Sequence, residues 1–170
     1  MSSKDDKESK EYIGDFDSPE QSRSRLKAIK ILGSRRLSAY EMNRRLMNKG
    51  ETGESAQETV EWLEKIGAVD DTEYAAAIVS HYSAKGYGLV RIKDELYRRG
   101  IPRDMWDAAL APLEDMSQSE AVQRFLEKKL RGGSDKDDLR RAADALCRRG
   151  FSYDEARTGI NIYLENLEGS

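Results

Sequence analysis

Leu46-Met47-Asn48-Lys49-Gly50, Leu96-Tyr97-Arg98-Arg99-Gly100 and Leu146-Cys147-Arg148-Arg149-Gly150 close three successive segments in the same way, 50 residues apart. Their flanks match too. Four residues beyond each glycine stands an acid, Glu54, Asp104 or Asp154, and ten residues beyond stands an aliphatic, Val60, Leu110 or Ile160. One such pentapeptide is a weak signal. Three in fixed register mark a repeat architecture. The chemistry of the pentapeptide is that of a helix end. Glycine adopts the left-handed backbone that stops a helix, and basic side chains in the last turn complement the negative end of the helix dipole.

Helix starts are legible as well. Capping-box patterns stand at Ser18-Pro19-Glu20-Gln21, Ser38-Ala39-Tyr40-Glu41, Ser117-Gln118-Ser119-Glu120 and Ser152-Tyr153-Asp154-Glu155, with an acidic version at Asp70-Asp71-Thr72-Glu73. In each, a side-chain oxygen can accept from an orphan amide while a later Glu or Gln reaches back. Gly88 and Ser134 serve as further expected starts, and Thr52 and Pro102 share the register of Ser152. Apolar residues between these marks recur at three-and-four spacing, as in Met42/Leu46, Ile92/Leu96, Trp106/Leu110/Leu113 and Val122/Phe125/Leu126/Leu130. That period is helical. The spacing predicts nine helices, three per repeat, and no strand. The first helix of each repeat aligns less cleanly than the other two.

The predicted fold is all-α, a tandem array of three three-helix, helix-turn-helix-like repeats over residues 18–68, 69–115 and 116–170. Residues 1–17 are expected to form a disordered acidic tail. A unit of roughly 45 residues buries little apolar area alone. Stacking shares the core along a row, so an elongated molecule is expected.

Charge narrows the partners. The net charge of −3 is uneven: residues 1–20 carry −4, and the rest hold 26 basic against 25 acidic groups. Any basic surface is therefore a patch. Cys147 is the only cysteine, which excludes an intrachain disulfide and suits a reducing compartment. The amino terminus lacks the apolar stretch of a secretory signal, and the longest apolar run, Ala75 to Val79, is too short to span a bilayer. A cytoplasmic monomer without membrane contact is expected.

Within the repeats, charge segregates by helix. Residues 35–50 hold five basic groups and one acid, 85–100 five and two, and 136–150 five and three. The following segments are acidic, with one basic group against eight acids over 51–73. Regular stacking would line up the basic helices as a stripe able to attract phosphate or an acidic groove. The candidate contacts are Arg44, Arg45, Lys49, Lys85, Tyr87, Arg91, Lys93, Arg98, Arg99, Arg140, Arg141, Arg148 and Arg149. The competing reading is that these are solvated helix faces and dipole-satisfying termini. Tyr87, among basic residues, could stack on a base or partner side chain.

Nothing points to catalysis or to a cofactor. His81 is the sole histidine and reads as an ordinary helix residue. No zinc-type Cys/His cluster, nucleophile elbow or phosphate-cradling loop is present. Gly86-Tyr87-Gly88 reads as a helix connection. Asp70-Asp71 reads as a helix cap, not a metal pair. Trp62 and Trp106 are expected as packing anchors, and Cys147 as a small buried filler.

The middle repeat carries a resemblance. Asp70-Asp71-Thr72-Glu73-Tyr74-Ala75, Lys85-Gly86-Tyr87-Gly88, Arg91-Ile92-Lys93-Asp94-Glu95-Leu96 and Arg99-Gly100-Ile101 look like the signature of the RecX family, with Leu37-Ser38, Glu41-Met42 and Leu46 to Lys49-Gly50 adding to it. The resemblance spans about residues 22–165. It implies a curved array of three-helix units that binds RecA and the groove of its nucleoprotein filament, restraining ATP hydrolysis, strand exchange and coprotease activity. Some members also bind single- or double-stranded DNA. Glu51 departs from the family, which usually has an apolar or aromatic residue there, and implies that the first module docks differently. The alternative functions are a DNA-binding helical module without RecA specificity and a general helical adaptor.

Overall fold

In the computed structural model, which describes residues 18–115 and 118–169, each capping pattern that lies wholly within them starts a helix and each glycine-terminated pentapeptide ends one. Nine α-helices occur among the described residues: α1 (Pro19–Leu32), α2 (Ala39–Asn48), α3 (Gly53–Lys65), α4 (Asp71–Ala84), α5 (Leu89–Arg98), α6 (Trp106–Asp115), α7 (Gln118–Leu130), α8 (Lys136–Arg148) and α9 (Tyr153–Glu168). There is no strand among them. Residues 1–17 and Ser117, the expected cap of α7, lie outside the described residues.

The caps work as the sequence implies, with two shifts. Ser18, Ser38 and Ser152 form reciprocal capping boxes with Gln21, Glu41 and Glu155. Asp70 Oδ1 accepts from the Glu73 amide at 2.9 Å. The expected start at Ser134 falls one residue later, because Asp135 accepts from both Asp137 and Asp138 amides. Pro102 begins a 3₁₀ turn, Arg103–Met105, rather than an α-helix, and α6 follows it from Trp106. At the helix ends Gly50, Gly100 and Gly150 have φ of +89°, +68° and +92°. The Glu51 and Phe151 amides return to the Leu46 and Leu146 carbonyls, at 3.1 and 3.2 Å, which closes the last turn.

The chain forms two compact units. Among the described residues, the first takes those from Ser18 to Tyr74 together with Arg99–Ile101; the second takes Ala75–Arg98 and those from Pro102 to Gly169. The middle repeat thus contributes to both. In the first unit α3 packs on α1 and α2 around Ala28, Ile31, Leu37, Met42, Leu46, Ala56, Val60, Leu63 and Val69. A buried hydroxyl pair, Thr59 Oγ1 to Ser24 Oγ at 2.7 Å, joins α3 to α1. In the second unit α9 packs on α7 and α8 around Val122, Leu126, Ala142, Leu146, Phe151, Ala156 and Tyr163. Gly159 permits that approach, since a Cβ there would lie 2.2 Å from Val122 Cγ1. Leu46, Leu96 and Leu146, the first residues of the three pentapeptides, are completely buried. Each such leucine contributes about 1.5–3 kcal/mol by leaving water.

The pentapeptides do more than end helices. In the second unit the Gly88 amide donates to the Arg149 carbonyl (2.8 Å) and the Val90 amide to the Gly150 carbonyl (3.1 Å). Orphan donors at the start of α5 thereby meet orphan acceptors at the end of α8, and opposite helix-dipole ends face each other. In the first unit the register-equivalent contact recurs 50 residues earlier in both partners: the Ser38 hydroxyl donates to the Arg99 carbonyl. A later helix end therefore closes on an earlier helix start in each unit.

A third contact supports the start of α2. Asp71 Oδ1 accepts from the Ala39 amide at 2.9 Å, so a residue of α4 caps a helix 32 positions away. Burial pushes the Asp71 carboxyl above its usual range, against the Ala39 hydrogen bond, and the Asp70 and Glu41 charges push the same way as burial. A carboxyl whose native pKa exceeds its unfolded value weakens the fold once both states are ionised. That penalty is relieved as pH falls through the native pKa. Asp71→Asn keeps the acceptor and removes the charge, so neutral-pH stability is expected to hold or rise and its acid-side gain to disappear. Asp71→Ala orphans the Ala39 amide and is expected to cost about 1–2 kcal/mol. Urea melts at pH 7 and pH 4.5 check both.

Candidate binding surface

The thirteen candidate contacts separate by what holds them. In the first unit Arg44 is exposed, with its guanidinium 5.7 Å from the Tyr40 ring centre. Arg45 and Lys49 line a hollow of about 280 Å³ together with Lys27, Lys30, Ile31 and Ser34. Arg99 is half-buried. Its guanidinium donates to the Tyr74 hydroxyl at 2.8 Å and pairs with Glu41 at 3.4 Å. Burial and Glu41 raise the Tyr74 pKa, and Arg99 opposes them.

In the second unit four candidates meet at one junction. Arg149 reaches back to the α4–α5 connection, donating to the Lys85 carbonyl (3.2 Å) and, at 3.5 Å, to the Gly86 carbonyl. Its guanidinium lies 5.8 Å from the Tyr87 ring centre and 5.1 Å from that of Phe125. The ring expected to stack on a base thus already carries an arginine of its own chain. The Cβ of Arg91 abuts Gly150. Lys93, Arg98 and Arg148 are exposed and form no ion pair among the described residues. Arg140 and Arg141 are exposed but face Asp137 (4.0 Å) and Asp138 (3.3 Å) on their own helix. Such pairs are worth at most a few tenths of a kcal/mol, about 0.3–0.5, and leave both arginines available.

Position 99/149 is therefore structural in this fold, and position 98/148 is presented to solvent. The residue before it is exposed in all three repeats: Met47, Tyr97 and Cys147. The expectation of a buried Cys147 is corrected here. It directly follows Leu146, which takes the inward position, so one step of about 100° around the helix carries the sulfur outward. Tyr97, 70% exposed, is the most open large apolar side chain of the described residues. An exposed apolar side chain beside an exposed arginine, Tyr97 with Arg98, suits a protein surface that is part apolar and part acidic.

Sequence reasoning missed Lys27 and Lys30. They lie on α1, the helix whose repeat register is least clear, and only packing of α1 on α2 brings them to Arg45 and Lys49. It also left Glu51 without a partner. The Glu51 carboxylate bonds Lys27 and accepts from Ser55 Oγ at 2.8 Å. Its equivalents Ile101 and Phe151 are buried. The first repeat thus substitutes an ion pair for an apolar contact. The Lys27 hydrogen bond lowers the Glu51 pKa, outweighing partial desolvation, with Ser55 assisting. This contribution is present above the unfolded carboxyl pKa and is lost as pH falls through the lowered native value.

Trp62 packs half-buried against the first core, with the Arg25 guanidinium 4.7 Å from its ring, and Trp106 is buried. His81 is exposed and meets the Tyr82 ring edge-on. Among the described residues no group of three or more His, Cys, Asp or Glu could hold a metal ion, and no helix is long and apolar enough to cross a membrane.

Comparison with known proteins places this arrangement. Residues 70–110 match the family model of the second three-helix domain of RecX. The regulatory protein RecX of Xanthomonas axonopodis pv. citri is 35% identical over 144 residues, covering 82% of this chain and 87% of the relative. The chain belongs to the RecX family. The regulatory protein RecX of Stenotrophomonas maltophilia is 34% identical over 134 residues, covering 77% of this chain and 81% of its own length. The RecX helical-repeat fold is shared with the crystal structure of RecX from Lactobacillus salivarius, at a TM-score of 0.74 and 22% identity, covering 85% of this chain and 96% of that one. A second RecX crystal structure matches at a TM-score of 0.69 and 19% identity, over 81% and 70%. These RecX relatives are named regulatory proteins.

Proposed function

We propose that this RecX-family chain is a non-catalytic regulator that binds RecA and the RecA–DNA filament and restrains its ATPase, recombination and coprotease activities. Family membership over most of the chain carries the reading. The exposed Lys93, Arg98 and Arg148, with Met47, Tyr97 and Cys147 beside the pentapeptide bases, supply surface chemistry that suits a protein partner. Arg99 and Arg149 are tied to their own chain, Arg99 to Tyr74 and Glu41 and Arg149 to the Lys85 carbonyl. Titrating the protein against RecA hydrolysing ATP on single-stranded DNA tests this. Hydrolysis is expected to slow between substoichiometric and equimolar protein. A flat response across that range would refute RecA as the partner.

A second reading, direct binding of DNA without RecA specificity, is favoured by one observation, the convergence of four cations around the hollow on the first unit. It predicts affinity for bare DNA with a steep dependence on salt.

A further inference from the structure

Three basic side chains share one face of α1. Arg23, Lys27 and Lys30 recur at i, i+4 and i+7, and Ser34 continues the line just past the helix end. The line runs from the start of α1 into the hollow that Lys27, Lys30, Ile31 and Ser34 share with Arg45 and Lys49 of α2. Arg23, Lys30 and Lys49 are exposed and Arg45 is half-buried, and none of the four forms an ion pair among the described residues. Like charges gathered this way repel, and a neighbouring anion relieves that cost. The side of α1 toward α3 has the opposite sign. There Glu20, Glu54 and Glu58 line a second hollow beside Ser18 and Thr52, at the start of the helix.

The sequence that leads into α1 is complementary to the basic face. In residues 1–10, Lys4, Lys7 and Lys10 balance Asp5, Asp6 and Glu8. Residues 11–17, Glu11-Tyr12-Ile13-Gly14-Asp15-Phe16-Asp17, hold three acids and no base, so the net charge of the whole stretch lies in them. They also bring three apolar side chains, Tyr12, Ile13 and Phe16, toward a hollow walled partly by Ile31. Length agrees as well. Arg23 and Lys30 stand five and twelve residues beyond Ser18, about 8 and 18 Å along the helix axis. Three and seven extended residues cover roughly 10 and 23 Å. A chain turning back at Ser18 is therefore long enough to set Asp15 level with Arg23 and Glu11 level with Lys30. The acids at the α3 side steer it away from the other flank.

We propose that residues 11–17 dock on this basic face of their own chain, with Asp15 and Asp17 along Arg23 and Glu11 at the hollow beside Lys30, Arg45 and Lys49. The chain thus carries its own anionic occupant, and any anionic partner reaches the hollow only by displacing it. The inference concerns the chain alone and stands whether or not RecA is the partner.

The test is paramagnetic broadening of amide NMR signals in the full chain, with a nitroxide on Ser9→Cys and the exposed Cys147 replaced by Cys147→Ser. At about 0.02 M salt the Lys30, Ser34 and Arg45 amides are expected to lose more intensity than those of Glu20 and Glu58. Intensity is expected to return at about 0.5 M salt, where exposed charges are screened. The triple variant Glu11→Gln, Asp15→Asn and Asp17→Asn is expected to abolish the broadening at the hollow. Lys30→Gln with Lys49→Gln is expected to do the same with an unchanged melting curve, as for other exposed substitutions. Mixing spin-labelled chain with a separate isotope-labelled chain is expected to give no broadening. Broadening in that mixture would assign the contact to a second copy and overturn docking within one chain. Broadening that is greatest at Glu20 and fades along α1, or that survives in the triple variant, would overturn it too.

Discussion

Gly150→Ala is expected to lower the melting temperature far more than Gly50→Ala, although the two glycines hold the same place in the repeat and nearly the same φ, +92° and +89°. The backbone term is common to both. A side chain in the left-handed region costs roughly 1–2 kcal/mol. The steric term is not. A Cβ on Gly150 would sit 2.5 Å from the backbone nitrogen of Arg91, inside α5, and a helix backbone cannot step aside. Overpacking of that kind adds about 1–3 kcal/mol. It also strains the Val90-to-Gly150 and Gly88-to-Arg149 hydrogen bonds. The total, about 2–5 kcal/mol, corresponds to a shift on the order of 10 °C for a chain this size. Gly100→Ala is expected to cost about as much as Gly150→Ala, since its obstacles include the Tyr40 Cβ at 2.5 Å, which turning of the ring cannot move. Differential scanning calorimetry of the three variants measures the contrast. Three equal shifts would show that the glycines merely end helices and that the contact between helix end and helix start is inert.

That contact also marks the boundary of what could be read from the chain. The helices, their order and most of their caps follow from local chemistry. Ser38 with Glu41 or Ser152 with Glu155 needs only its own four residues to make a capping box. The periodic leucines point inward for an equally local reason, the 3.6-residue turn. What the repeat does not disclose is that position 99/149 faces inward to a neighbouring segment while position 98/148 faces solvent. Both are arginine, and adjacent residues of a helix end look alike until something packs on one of them. The long-range cap from Asp71 to Ala39 is hidden for the same reason, since either residue has a sufficient local explanation. Lys27 and Lys30 escaped because they break the repeat. A search for self-similarity finds what recurs, and the hollow they line occurs in the first unit beside departures at Arg45 and Glu51. Family resemblance likewise flagged Glu51 as an exception, and its ion pair with Lys27 gives that exception a physical content.

Arg148 and Arg149 offer the sharpest separation of binding from folding, because they are neighbours with the same charge and opposite duties. Arg149→Ala is expected to destabilise the second unit by about 2–3 kcal/mol. Charged hydrogen bonds to a carbonyl are worth roughly 1.5–3 kcal/mol, and stacking on an aromatic face adds about 0.5–1. Both exist here, toward the Lys85 carbonyl and toward Tyr87 and Phe125. Arg149→Lys is expected to recover little, since an ammonium lacks the planar fork that can donate to a carbonyl while lying over rings. Arg148→Ala, on an exposed side chain, is expected to change stability by less than about 0.5 kcal/mol. In association the order reverses. Arg148→Glu, combined with Arg98→Glu, is expected to weaken the proposed inhibition of RecA ATPase and to reduce its sensitivity to salt, with an unchanged melting curve. Urea unfolding followed by tyrosine fluorescence, run beside the ATPase titration, reads both quantities on the same samples. If Arg148 variants unfold early, or Arg149→Ala leaves stability intact and abolishes inhibition, the division of labour within the pentapeptide is the reverse of the one the contacts describe. The exposed arginines would then lose their claim to the partner.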